Sequence, residues 1–373
     1  MGKILGQKTI YRDGEYVAFP NLAYLPDGRV ICAFRHAKER QKEYGAVTHV
    51  DPTAKDVFIL SEDGGYSFDP ALHTIISEEE TSFQDPCINV LRDGRIIVTY
   101  FRWDLVPIGE GEKRWGERFR AFGRSLHGKY DCMSGGAGYS ISDDNGRTWR
   151  RVRSLVIAGT EWRPAVRGNI IEMPEGYLLM PVYGAKRVGE LSTSAVVRSD
   201  DRGESWYFYA DCAFDPDCVK NYLEPNLFLT DSGILKMLIR TQTDFAKPGV
   251  EFDDTYLNLH MVDSKDGGKT WGEVYEIEDL WGSSPFHAYK LASGKVAVAY
   301  GYRRKPFGIR MKICNGELSD IGSTPEIILR DDAPNGDLGY PHILQLRDGT
   351  ILVSYYISGE DGIRLIEGTY VKE

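Results

Sequence analysis

Ser61-Glu62-Asp63-Gly64-Gly65-Tyr66-Ser67-Phe68, Ser142-Asp143-Asp144-Asn145-Gly146-Arg147-Thr148-Trp149, Ser199-Asp200-Asp201-Arg202-Gly203-Glu204-Ser205-Trp206 and Ser264-Lys265-Asp266-Gly267-Gly268-Lys269-Thr270-Trp271 follow one template, Ser-x-Asp-x-Gly-x-x-aromatic. The Asp and Gly suit a tight turn, since Asp bonds nearby backbone N–H groups and Gly accepts positive φ. The closing aromatic starts a strand and offers a large surface to bury. One copy is a turn. Four copies make a repeat protein.

A second repeat is interleaved with the first. Six turn signals, ending at Gly28, Gly94, Gly176, Gly233, Gly294 and Gly349, are each followed by an apolar strand. Val30-Ile31-Cys32-Ala33-Phe34 and Ile351-Leu352-Val353-Ser354-Tyr355 are the first and last of these strands. Each turn is also preceded by an apolar stretch, so each unit reads as a β-hairpin. Helical periodicity is nearly absent. Six hairpins about 55 to 80 residues apart, four of them followed by the aspartate turn, predict an all-β, six-bladed β-propeller with four antiparallel strands per blade. The 373 residues then form one domain, with Thr9-Ile10-Tyr11 joining the last blade to close the ring.

Composition narrows the function. The chain is 42% hydrophobic and 12% aromatic, enough for a large core. Its net charge of −10 argues against a nucleic-acid or membrane-surface binder, both of which reward basic surfaces. No apolar run approaches a membrane span and no signal peptide is recognisable, so the expected location is cytoplasmic, with export left open. Six cysteines lack metal-ligand spacing. Cys32, Cys87 and Cys314 read as buried thiols, while Cys212 and Cys218 either pair or stay free. There is no zincin-type histidine pair and no Gly-rich phosphate loop, so neither a metal nor another cofactor is expected. The sequence does not set the oligomeric state.

Strand direction then locates the business end. If the strands of a blade are A to D, the Asp-Gly turn joins A to B and the aspartate turn joins C to D. Both lie on one face, and the starts of the A strands converge on the axis at the other. Nine residues before each turn glycine stand Phe19, Asp85, Arg167, Glu224, Pro285 and Tyr340; seven after it stand, among others, Arg35 and Arg240. Asn21, Arg163 and His287 are further near-axis neighbours. Acids, bases and a phenol around one axis point to a site, although each alone also reads as a salt-bridged or turn residue. The longest loop on that face, about 101–139, holds Trp103, Trp115, Phe119 and Phe122. It reads either as a lid or wall over the site or as a packed insertion or subunit contact.

At this point the chain resembles the sialidase superfamily, over essentially its whole length. Asn221-Tyr222-Leu223-Glu224, with the strand ending Met237-Leu238-Ile239-Arg240, resembles the sialidase glutamate followed by the second arginine of a carboxylate-binding triad. Arg304-Lys305-Pro306-Phe307-Gly308-Ile309-Arg310 resembles the segment with the third, placing it on Arg304, with Arg303 an adjacent rival. Asp337-Leu338-Gly339-Tyr340-Pro341 resembles the nucleophilic tyrosine position, and Asp51 falls in the region of the acid/base aspartate. The resemblance implies a retaining exo-glycosidase acting on a terminal, acidic sugar: Tyr340 as nucleophile, Glu224 as its base, Asp51 as acid/base, and Arg240 and Arg304 on the substrate carboxylate. Sialidases are the exception among retaining glycosidases in using tyrosine. One departure stands out. Val17-Ala18-Phe19-Pro20 matches the sialidase Phe/Tyr-Arg-Ile-Pro, so Ala18 stands where the first triad arginine belongs. Arg35, Arg40 or Arg167 could compensate. Alternatively Asp85 and Arg167, with His49 and His287 nearby, belong to a pocket for another sugar, cleaved by a hydrolase or lyase, or to a propeller that binds glycans without cleaving them.

Overall fold

A computed structural model of the chain describes residues 2–46, 49–160, 162–187, 189–243 and 256–373. Its strands form six antiparallel sheets in chain order, as the turn repeats require. Blade one consists of Tyr16–Tyr24, Val30–Ala37, Lys55–Ser61 and Asp69–Ile76. In blade three the inner strand is only Ile171–Glu172, and a two-residue strand, Ile157–Ala158, runs parallel to the outer Trp206–Ala213. The N-terminal strand Lys3–Tyr11 pairs with Arg364–Lys372 as the outermost strand of the last blade, so first and last segments share one sheet.

Each sheet packs a neighbour on both faces, which explains why the B strands read as continuous apolar runs rather than alternating ones. All five residues from Val30 to Phe34 are buried, and so are all five from Ile351 to Tyr355. Six apolar layers fill the gaps between successive blades. Ile31 and Ile75 of blade one meet Ile88 and Val98 of blade two, for example, and Ile343 and Val353 of blade six meet Ala299 and Met311 of blade five.

Around the axis the inner strands are tied by side chains that accept the next blade's backbone N–H. Asn21 takes Ile88 N at 3.0 Å, Asn226 takes Ala288 N at 3.1 Å, His287 takes Ile343 N at 3.0 Å and His342 takes Leu22 N at 3.2 Å. Asn169 reaches across, accepting from His342 Nε2 at 3.1 Å and from Asn21 Nδ2 at 3.4 Å. A buried donor without a partner is expensive, so these contacts fix the blades' mutual height as well as their spacing.

The aspartate turns behave as their residue types dictate. Ser61 Oγ donates to Asp63 Oδ1 and accepts Gly65 N, both at 2.8 Å, and Asp63 also accepts Tyr66 N and Ser67 N. The far face carries both turn types together: Tyr66 donates to Asp348 in the last Asp-Gly turn, and Arg95 beside the second turn binds Asp143. Burial opposes ionisation of Asp63, but its bonds from Ser67, Ser61 and Tyr66 prevail and lower its pKa to about 2. Asp144 is likewise lowered to about 2, chiefly by Thr148. A depressed folded pKa adds stability that is present above the unfolded value and lost as pH falls through the folded one. The melting temperature should therefore drop between about pH 4 and pH 2. Ser61→Ala, which strips a buried hydroxyl from one turn, should cost about 1–2 kcal/mol by denaturant titration.

One expectation needs correction. The blade-two segment at about 101–139 is not a loop throughout: Ile96–Pro107 and Tyr130–Ser142 stay paired out to Pro107 opposite Tyr130. Apolar residues continue past the blade on both strands, and Leu105 and Cys132 bury themselves against Val50 of the blade-one loop. Two short helices, Gly111–Trp115 and Glu117–Phe122, cap the hairpin. Tyr44 stacks on His127 at 4.3 Å and Lys129 pairs with Glu43, so the extension leans on the blade-one loop as one wall.

Candidate active site

The inner strands aim residues at the axis by a shared device. Phe19-Pro20, Asp85-Pro86, Glu224-Pro225 and Tyr340-Pro341 each fall in a register break, two residues without partners on the neighbouring strand. Phe19, Asp85, Glu224 and Tyr340 have φ of 61°, 59°, 44° and 50°. A left-handed conformation at a side-chain-bearing residue costs on the order of 1–3 kcal/mol and persists where packing enforces it, often at functional sites. Proline suits the bulge because it has no N–H to leave unpaired. The bulge turns the preceding side chain inward.

Four such side chains, with the arginines around them, make the site. Tyr340 OH donates to Glu224 Oε1 at 2.5 Å. Arg240 Nη1 donates to Glu224 Oε2 at 2.7 Å and reaches the phenol oxygen at 3.4 Å, while its Nη2 bonds Gln242 Oε1 at 2.8 Å. Phe19 lies against the Tyr340 ring, centroids 4.5 Å apart. The Arg167 and Arg303 guanidiniums lie 5.3 Å and 5.6 Å from the same ring. Arg303 is anchored by two bonds to Leu338 O, at 3.2 Å and 2.9 Å.

Electrostatics separates the roles of these groups. Burial alone would raise the Glu224 pKa, but the Arg240 charge and the bonds from Tyr340 and Arg240 hold it below the ordinary value. Glu224 is thus a carboxylate at neutral pH. Burial and the charges of Glu224 and Asp85 push the Tyr340 phenol well up, with Arg240 and Arg303 pulling the other way. Asp85 differs from Glu224. Burial first, then the Glu224 charge, raises it to about 7 against the pull of Arg167, Gln84 and Arg240. Its Oδ2 accepts Gln84 Nε2 at 3.1 Å and its buried Oδ1 has no hydrogen-bond partner. Gln84 is itself held by Trp103 of the blade-two extension, at 3.1 Å. The two carboxyls are thus pushed apart, Glu224 held down and Asp85 raised toward neutrality, the kind of separation by which environment distinguishes an acid from a base.

Other expected residues lie elsewhere. Asp51 is not brought to this group: Asp51-Pro52-Thr53 is a turn in which the carboxylate caps Thr53 N at 2.7 Å, pairs with Arg40 at 3.1 Å and accepts Tyr44 OH at 3.3 Å. Arg304 turns outward over Trp281, 4.9 Å from the ring, and its neighbour Arg303 takes the place at Tyr340. Arg35 is fully buried over the Tyr16 ring, paired in register with Ala18 on one side and Asp56 on the other, and its three guanidinium nitrogens have no hydrogen-bond partner among the described residues. His287 is one of the interblade ties. Burial and the Arg167 charge lower its pKa to about 3, so it is neutral. Asp337 is a hub, accepting Arg364 Nε at 2.7 Å, Tyr356 OH at 3.0 Å and His49 Nε2 at 3.2 Å.

Residue counting missed Tyr183, whose phenol is pushed up by burial and by Glu224, Asp85 and Tyr340. It stands seven after Gly176, as Arg35 and Arg240 do after their glycines, so the same count would have found it. The proline after the axis residue in four blades was a second unused signal. Chemically, the group can deprotonate a phenol, stabilise the phenolate with guanidinium charge and deliver a proton from Asp85.

Comparison with known proteins agrees with the architecture. The family described as BNR repeat-like domain matches residues 112–353, more than half of the chain. A protein of unknown function from Dyadobacter fermentans superposes with a TM-score of 0.86 at 28% identity, covering 100% of this chain and 99% of that one. A sialidase from Streptococcus pneumoniae gives 0.63 at 14% identity, covering 100% and 70%. An intramolecular trans-sialidase from Ruminococcus gnavus gives 0.64 at 14% identity, covering 96% and 94%. The fold is thus a sialidase-like propeller. No curated protein matches the sequence.

Proposed function

The chain belongs to the BNR repeat-like domain family, and from that premise we propose that it is a retaining exo-glycosidase acting on a terminal sugar that carries a carboxylate. The observation that carries this reading is the 2.5 Å bond from Tyr340 OH to a Glu224 that Arg240 keeps ionised. A buried phenol is a poor nucleophile until a base takes its proton. Glu224 takes it as the Tyr340 oxygen bonds to the anomeric carbon, and Asp85 gives its proton to the departing oxygen. As a carboxylate, Asp85 then activates the water that releases the sugar. A neutral Tyr paired with one carboxylate repels an anionic sugar less than two carboxylates would.

Arg240, Arg303 and Arg167 surround the phenol, and the last comes from blade three, whereas the position matching the first sialidase arginine is Ala18. The proposal is therefore an acidic sugar in a pose turned toward blade three, rather than sialic acid in particular. A panel of chromogenic glycosides with carboxylated terminal sugars tests it, with proton NMR reading the anomer released first. Turnover with retention supports the reading. Inversion, or turnover of neutral sugars alone, contradicts it. Within that panel, Arg303→Ala should weaken binding of the acidic product about 10- to 100-fold, the worth of one charge-assisted contact. Arg304→Ala should leave affinity within about twofold. Isothermal titration of both variants reads the difference, and the reverse order would restore Arg304 to the site.

A further inference from the structure

Seven residues before the turn glycine stand Asn21, Asn169, Asn226, His287 and His342 in five blades, and Cys87 in blade two. In blades one, four, five and six the position makes the interblade tie by accepting the next blade's backbone N–H, for which an amide or imidazole is the better acceptor, whereas Asn169 donates to Ile88 O of blade two at 2.7 Å. Cys87 Sγ makes that tie in its own way, accepting Gly168 N of blade three at 3.5 Å. It also accepts Arg167 Nη1 at 3.3 Å, and its thiol lies 3.5 Å from Asp85 O. One fully buried sulfur therefore touches the backbone of Asp85 and the side chain of Arg167. Both neighbours are otherwise sparsely held: Arg167 Nε and Asp85 Oδ1 are buried without hydrogen-bond partners.

We propose that Cys87 is a positioning residue for this site, setting the Asp85 bulge and the Arg167 guanidinium against each other and against Tyr340. The role rests on the glycosidase reading only in that Asp85 and Arg167 then act on substrate. Sulfur suits the role for two reasons. It bonds at longer range than oxygen or nitrogen, so one atom spans three groups, and it is smaller than Asn or His, leaving space for the guanidinium above the phenol ring. Burial keeps the thiol protonated although Arg167 and Gly168 pull the other way, so it donates to Asp85 O while accepting from Arg167.

The test reads Asp85 directly. In protein carrying ¹³C-labelled aspartate, with the Asp85 signal assigned through Asp85→Asn, the carboxyl should titrate near 7. In Cys87→Ala the loosened Arg167 should let the midpoint rise by about one pH unit, and Cys87→Ser, which keeps a donor and an acceptor, should bring it back toward the wild-type value. On a cleaved glycoside the alkaline limb of the rate profile should move with it, with kcat/KM falling about tenfold. A Cys87→Ala midpoint within about 0.2 units of wild type overturns the proposal. Should Cys87→Ala not fold, the midpoint is read in Cys87→Val, which keeps the volume but removes donor and acceptor; a midpoint within about 0.2 units of wild type there overturns the proposal as well. A shifted midpoint in a protein that cleaves no sugar would sink the glycosidase reading and leave the role of Cys87 standing.

Discussion

Tyr340→Phe should lower kcat/KM on a cleaved glycoside about 10³-fold or more, roughly 4 kcal/mol of barrier, while the acidic product still binds. The substitution removes one oxygen and keeps the ring, which Phe19 and the Arg167 and Arg303 guanidiniums continue to pack. Glu224 keeps its partner Arg240, so no buried charge is orphaned and the variant should fold with a nearly unchanged melting temperature. Glu224→Gln should cost a similar factor for a different reason. The phenol would remain, but its proton would have no acceptor, and Arg240 would lose its ion pair. Steady-state kinetics with product titration separates the two effects. If Tyr340→Phe kept more than about a tenth of the activity, attack by the phenol would be excluded.

The second large effect concerns Asp85. Asp85→Asn should lower kcat/KM about 10²- to 10⁴-fold, as expected for loss of a general acid. The wild-type rate should fall as pH rises through about 7, where Asp85 loses its proton. Stability should move the other way. A carboxyl whose folded pKa lies above its unfolded value favours folding while protonated, and that advantage is lost as pH climbs from about 4 to 7. Asp85→Asn, which never ionises, should therefore melt higher than wild type at pH 8 and much the same at pH 4. Activity down and alkaline stability up is the signature of a residue strained for function. A variant less stable than wild type at pH 8 would mark Asp85 as a structural ion-pair partner instead.

The arrangement also accounts for the missing arginine. With Ala18 small, the Arg35 guanidinium across the register sits 4.9 Å from the Tyr16 ring, and the bulged Phe19 packs against Tyr340 from blade one. Positive charge reaches the phenol from blades three, four and five instead, through Arg167, Arg240 and Arg303.

What the sequence determined by itself was the scaffold and its polarity. Each aspartate turn closes its bonds within eight residues, and each hairpin within about twenty, so their count and direction survive reading along the chain. The set nine residues before each glycine followed from the same local arithmetic, and it contains Asp85, Arg167, Glu224 and Tyr340. Tertiary structure alone decided which of these meet and which expected partners do not. Tyr340 and Glu224 bond across 116 residues of sequence, a contact that exists only because the ring closes. Asp51 was diverted by its own loop, where Arg40, Tyr44 and Thr53 satisfy both carboxylate oxygens. Arg303 was separated from Arg304 because adjacent residues at a strand end point to opposite sides, and only packing on Leu338 and Trp281 says which side is inward. The physical reason is common to all three. Turn chemistry is satisfied by near neighbours, whereas the placement of a buried charge is settled by whichever distant groups the closed ring brings within reach.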